Sequence, residues 1–213
     1  LVADGTCNTI KQLDLSTGTI TPFVGSPTGG AGGTDGTGTD ARFTGACGLG
    51  FAGTYVLATS NTKIRKITLP GREVTTFLQP GYGVTKTYSM TTSPDGTKAA
   101  VADYYGHVVV TVDLATKQEE VLAGQRNQAG PDDGVGTNAK LDHPIDCDWS
   151  PDNTFILVTE HDGCKIRKIN LADKQVTTIA GHHSTRLAAN DQCSDADGTG
   201  TNAAFCFPYS SAI

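Results

Sequence analysis

Six cysteines, Cys7, Cys47, Cys147, Cys164, Cys193 and Cys206, carry the most versatile chemistry in this chain. None forms a Cys-x-x-Cys pair, and no His stands where it would complete a zinc site. An even count without metal spacing reads as disulfides, hence an oxidising compartment, with six buried thiols as the alternative. The connectivity stays open, although a Cys193–Cys206 bridge would staple a long polar turn. Carboxylates form two further groups. Asp191, Asp195 and Asp197 precede Gly198 and bring oxygens of the kind a Ca2+ ion takes. No Glu follows to complete an EF-hand, and the related loops at Asp35 and Asp132–Asp133 favour a generic turn. Asp146 and Asp148 flank Cys147 a few residues after His143, and strand alternation puts both carboxylates on one face. His182 and His183 read as loop residues, and Trp149, the sole Trp, as core. No Ser-His-Asp context and no phosphate-binding Gly loop is present.

Composition narrows the classes. The 213 residues carry a net charge of −6, and no basic cluster exceeds Lys63–Lys66 or Lys165–Lys168. A nucleic-acid binder needs a concentrated positive footprint, so that class is excluded. The two Lys/Arg clusters are expected on a solvated sheet face. No run approaches the ~20 apolar residues of a membrane span. Gly is abundant at 26 residues and Thr reaches 31. Thr suits a pleated strand and also accepts O-linked sugars; the strand reading is the safer one. No Asn-x-Ser/Thr sequon occurs, so any glycan would sit on segments such as Thr17–Thr21 and Thr34–Thr39. The chain opens at Leu1 without a Met, which reads as a processed protein or part of a longer one.

The elements that must position these residues recur. Asn8–Leu15 (NTIKQLDL), Thr62–Leu69 (TKIRKITL), His107–Leu114 (HVVVTVDL) and Cys164–Leu171 (CKIRKINL) align as strands with one buried face. Each follows an apolar run and precedes a short turn and another strand, which makes an antiparallel meander. A fourth strand precedes three of the sets, at Ala46–Phe51, Tyr88–Thr92 and Ile145–Trp149. The turns Ser93–Gly96 (SPDG) and Ser150–Asn153 (SPDN) carry Pro and Asp where a type I turn wants them. Gly/Asp loops run between sets at Asp35–Phe43 (DGTGTDARF), Asp133–Leu141 (DGVGTNAKL) and Asp197–Phe205 (DGTGTNAAF). Phe43, Leu141 and Phe205 are expected to plug between neighbouring sets of strands.

The loop DGTGTDARF, the VAD of Val101–Asp103 and the two IRKI segments resemble the NHL-type β-propeller repeat. Thr59 stands where that pattern has Asp. The resemblance implies an all-β fold: one β-propeller domain of four NHL-like four-stranded blades. The blade segments are 1–25, 45–79, 86–124 and 143–181, with a terminal strand at 206–213. The Cys-bearing, Thr-rich form is also similar in flavour to algal mastigoneme-like and sexually induced extracellular proteins. Such propellers serve as enzymes, binding platforms and structural units, so fold does not assign function. Lactonase-like propellers hold an axial metal with acidic and amide side chains. Asp146 and Asp148 are the nearest match here, but no second blade contributes a carboxylate from its inner strand.

The expected function is that of an extracellular or cell-surface structural protein, non-catalytic and without a cofactor. Tyr209, Ser210, Ser211, Ala212 and Ile213 would complete the sheet begun by Leu1, Val2 and Ala3. Done within one chain this closes a ring; done between chains it gives head-to-tail self-association into a fibre. An excerpt from a longer array is a third arrangement. The alternative function is a secreted metal-dependent, lactonase-like hydrolase or a ligand-binding module.

Overall fold

The computed structural model describes residues 1–28, 30–79, 86–182 and 195–213. The chain divides into two units, Leu1–Ser89 and Met90–Ile213. In the first, β1 (Val2–Asp4), β2 (Thr9–Leu13) and β3 (Ile20–Val24) form a three-stranded meander. A second sheet has the order β4-β8-β7-β6-β5, built from β4 (Gly36–Thr37), β5 (Ala46–Ala52), β6 (Tyr55–Ser60), β7 (Lys63–Thr68) and β8 (Glu73–Leu78). The strand β9 (Thr87–Thr92) straddles the division. It joins β10 (Lys98–Asp103), β11 (Val108–Asp113) and β12 (Glu119–Ala123) in a four-stranded sheet. The last sheet has the order β13-β17-β16-β15-β14, from β13 (Gly134–Val135), β14 (Pro144–Trp149), β15 (Phe155–Glu160), β16 (Lys165–Asn170) and β17 (Gln175–Ala180). Strand neighbours such as β10 and β11, β15 and β16, and β6 and β7 pair antiparallel, as consecutive hairpins require. Among the described residues there is no α-helix, and none long and apolar enough to cross a membrane.

The hairpin chemistry is visible in the turns. Ser93 Oγ donates to Asp95 Oδ1 at 2.6 Å, and the Thr97 N–H donates to the same oxygen at 2.9 Å. These bonds hold the Asp95 carboxyl down at about 2. The second such turn repeats the scheme with Asp152 accepting from the Thr154 hydroxyl at 2.7 Å.

Sheets of three, five, four and five strands replace the expected four apiece, and the Gly/Asp loops explain the difference. Gly36–Thr37 pairs with Val74 and Glu73 of β8, and Gly134–Val135 pairs with Val176 and Gln175 of β17. Each loop then makes a single 3-10 turn and hydrogen-bonds back to the meander before it. Gly25 N–H donates to Gly38 O at 3.0 Å, and Gly124 N–H to Gly136 O at 3.3 Å. Gly124 has φ +93°, and a Cβ there would lie 2.3 Å from His107 O, so only glycine allows this approach. Phe43 and Leu141, at the ends of these loops, are wholly buried in the two cores.

A solvated Lys/Arg face is not what the structure shows. Arg65 and Arg167 are the largest fully buried side chains. Period-2 alternation puts Arg65 on the face of Ile67, and Arg167 on that of Ile169. Each guanidinium then reaches the loop that leads into its own sheet. Arg65 donates to Arg42 O at 2.8 Å, Thr34 O at 3.1 Å and Asp35 Oδ1 at 2.8 Å. Arg167 donates to Lys140 O at 3.2 Å, Asp132 O at 3.1 Å, Asp133 Oδ1 at 2.8 Å and Glu160 Oε1 at 2.8 Å. A planar fork of donors can satisfy carbonyls and carboxylates together, which an ammonium cannot. Only the neighbouring lysines face outward, Lys66 over Tyr55 at 4.4 Å and Lys168 over Phe155 at 4.3 Å.

Candidate functional site

The site lies where β14 begins. Leu141, fixed in the core, delivers Asp142 and His143 to the loop end of the sheet. The turn after β10 brings Tyr104, Tyr105 and His107 to the same place, and the turn after β15 brings His161 and Asp162. His143 Nδ1 lies 2.7 Å from Asp142 Oδ1 and 3.2 Å from Asp162 Oδ2. His161 Nδ1 lies 2.5 Å from Asp162 Oδ1, so one carboxylate bridges two imidazoles. The Tyr104 hydroxyl donates to Asp162 Oδ1 at 3.3 Å. The His143 backbone N–H donates to His107 Nδ1 at 3.2 Å. The rings pack closely as well, His107 on His143 at 4.3 Å between centroids and Tyr104 on His143 at 4.6 Å.

Burial, with His143 adding to it, pushes His107 below the ordinary imidazole value. At Asp162 burial opposes ionisation, but the hydrogen bond from His161 and the nearby imidazoles outweigh it and lower the pKa. Ionised carboxylates beside imidazole Nδ1 atoms fix those rings in orientation, the arrangement that commonly backs a metal-ligating or proton-transferring His. Among the described residues, His107, Asp142 and His143 are the group whose ligand-type atoms lie within 4.8 Å of one another.

The C-terminal segment borders this cluster instead of extending a sheet. Residues 206–213 form no strand. Phe207, at φ +47°, stacks on His161 at 4.9 Å, and Tyr209 meets the same ring edge-on at 5.2 Å. Ser210 Oγ donates to Asp146 Oδ2 at 2.6 Å, the Ser211 N–H donates to it at 3.2 Å, and Thr159 Oγ1 donates to Ser211 Oγ at 3.0 Å. A left-handed Phe207, a Pro208 without an N–H and a carboxylate that takes the Ser211 N–H leave no ladder to build. Tyr209 and Ile213 are exposed. At the other end of the chain, Val2 and Ala3 pair with Lys11 and Ile10 of β2, while Leu1 precedes the strand.

Of the residues singled out from the sequence, Asp146 and Asp148 do share a face. Asp146 is engaged by the serines, and burial together with the Asp146 charge raises Asp148. Asp195 and Asp197 are exposed, whereas Asp191, His183 and Cys193 lie outside the described residues, as does the Cys193–Cys206 pairing. Cys7, Cys47 and Cys147 are unbridged. Cys147 is buried against Ala100 O at 3.6 Å, and burial drives its thiol well above the usual range. Cys164 lies 3.6 Å from His161 O. His182 is exposed, and Trp149 sits in the core cluster at the far end of β14. Sequence reasoning picked out His143 but missed His107, Asp142, His161 and Asp162. The signal was their repeat position: His107, His161 and Asp162 lie in turns between the second and third strands of adjacent sheets.

No family model matches the chain. Among curated proteins, 91 residues are 33% identical to the human NHL repeat-containing protein 2, covering 40% of this chain and 12% of that one. Among solved structures, an auxiliary nutrient binding protein from Bacteroides ovatus matches with a TM-score of 0.61 at 18% identity, over 80% of this chain and 46% of the other. Virginiamycin B lyase from Staphylococcus aureus matches with a TM-score of 0.54 at 16% identity, over 89% of this chain and 56% of the other. The chain thus spans less than two thirds of each of these proteins. Structural likeness at such identities speaks for the fold alone. Sequence and fold together uphold the resemblance of this chain to NHL-type β-propeller repeats.

Proposed function

We propose that the protein is an extracellular, non-catalytic propeller module that binds a partner through the loop end bearing His143 and His161. The observation that supports it is a ring of aromatic side chains around a carboxylate–imidazole core. Tyr105 and Tyr209 flank the cluster with 51% and 68% of their surface exposed. Large exposed aromatics beside fixed polar groups make effective anchors in protein interfaces. Asp142 and Asp162, on a chain of net charge −6, favour a basic partner surface. The nutrient-binding role named for the Bacteroides ovatus protein is in keeping with a binding module. The exposed Thr17, Thr19, Thr21, Thr34 and Thr37 are accessible to O-linked sugars.

Wild-type protein and the Tyr105→Ala/Tyr209→Ala variant, tested by interferometry against a panel of basic extracellular proteins, provide the test. The reading expects salt-sensitive binding that falls at least tenfold in the variant. Equal binding by both, or none by the wild type, overturns it.

A second reading, head-to-tail self-association, is favoured by one feature. β1 is the edge of a three-stranded sheet, and Val2 within it and Leu1 just before it are exposed. Sedimentation over a concentration series decides it, since a monomer at every concentration excludes a fibre subunit.

A further inference from the structure

We infer that the His107–Asp142–His143 cluster is a binding site for a divalent transition-metal ion of the zinc type. Three ligand-type atoms already lie within 4.8 Å of one another, and His143 Nδ1 has a second carboxylate, Asp162 Oδ2, at 3.2 Å. Two imidazoles with one or two carboxylates form the mixed N/O set that zinc, cobalt or nickel takes. Calcium, which wants six or more oxygens, is poorly served. Asp195 and Asp197 are exposed and belong to no such ligand group among the described residues.

Access and electrostatics favour the ion. The side chains of His143, Asp142 and Asp162 keep 22%, 16% and 18% of their surface, so the cluster is held in place but not sealed from solvent. Asp142 and Asp162 bring two negative charges to one imidazole, and their convergence invites a cation between them. The ion takes the place of the hydrogen bridging His143 Nδ1 and Asp142 Oδ1; that proton moves to Nε2, and the ring stays neutral. Binding through His107 Nδ1 displaces the 3.2 Å hydrogen bond it accepts from the His143 N–H. Asp162 holds His161 and receives the Tyr104 hydroxyl, so it supports the site from behind or closes it as a further ligand.

The inference deepens the loop-end reading, yet the two can fail separately. Partner binding that is absent in the wild type, or equal in the wild type and the tyrosine variant, with zinc binding intact removes the proposed function only. The test is calorimetric titration of the full chain with Zn2+ at neutral pH, with Ca2+ and Mg2+ as controls, and Co2+ absorption as a ligand report. Expected are one Zn2+ per chain at the micromolar level, no matching Ca2+ uptake, and a Co2+ spectrum without thiolate charge transfer. His143→Ala and the milder Asp142→Asn should each weaken Zn2+ binding at least tenfold, with circular dichroism confirming that both fold. Absence of Zn2+ binding, binding unchanged in both folded variants, or a thiolate signature from the cysteines overturns the inference.

Discussion

Replacing Arg167 by Ala tests how the sheets are held to their loops. The guanidinium has no exposed surface and neither has Glu160, its partner at 2.8 Å. Removing it strands a buried carboxyl and frees Lys140 O, Asp132 O and Asp133 Oδ1 from their donor. Breaking a buried pair by deleting one member costs about 3–5 kcal/mol. For a chain of this size each kcal/mol lowers the melting temperature by about 2–4 °C. The expected fall is therefore about 6–20 °C, read by circular dichroism or calorimetry. Arg65→Ala is the control. Its acidic partner Asp35 is half exposed and can return to water, so the loss there should be smaller, about 1.5–3 kcal/mol as for hydrogen bonds to a charged group. The pH dependence adds a second reading. Burial, opposed by Arg167, lifts the Glu160 carboxyl to about 7. The folded state therefore binds the extra proton between the unfolded value near 4.5 and about 7, and this contribution to stability, complete below 4.5, fades as pH rises through 7. Without Arg167 the carboxylate loses its compensation, so the penalty should grow from pH 5 to pH 8. An Arg167→Ala variant no less stable than Arg65→Ala, or a penalty that shrinks with rising pH, refutes the clamp.

Three other outcomes follow from the geometry. Native protein treated with iodoacetamide should label the exposed Cys7 and spare the buried, raised-pKa Cys147, with mass spectrometry locating the adducts; prompt native labelling of Cys147 contradicts the packing. Gly124→Ala forces a Cβ to 2.3 Å from His107 O at φ +93°, and denaturant unfolding should show a loss of about 1–3 kcal/mol or more. Asp146→Ala removes the acceptor of Ser210 and Ser211, so proteolysis should cut within residues 206–213 faster than in the wild type, while near-native stability elsewhere is retained.

The meander was legible because its signals are local. Alternation in TKIRKITL and CKIRKINL, the SPDG and SPDN turns and the glycines of the loops each act within a few residues. The role of Arg65 was in principle legible too, since alternation seats it with Ile67 and Leu69, but charge alone points outward and the compensating carbonyls, of Arg42 and Thr34, lie 23 and 31 residues upstream. The short strands β4 and β13 escaped notice because two residues of Gly-Thr or Gly-Val carry no periodic signal. The cluster around His143 escaped for a related reason. His107, Asp142 and Asp162 come from separate turns, and only the stacking of adjacent sheets brings them within reach. The tail failed in the opposite direction: Tyr209–Ile213 has a strand-compatible composition, but Phe207, Pro208 and the pull of Asp146 decide its path.

The Asp35–Arg65 and Asp133–Arg167 contacts each join a loop to the sheet that comes after it, never to the one before. The heritable cassette is thus loop-then-sheet, a latch shipped together with its own door. Copying such a cassette in tandem would deliver every new sheet already fitted with the fastening for its entry loop. What such a cassette would still ask of the sheet ahead of it is modest: a glycine whose N–H meets the loop, as Gly25 meets Gly38 O and Gly124 meets Gly136 O, and an apolar face for the loop's last side chain.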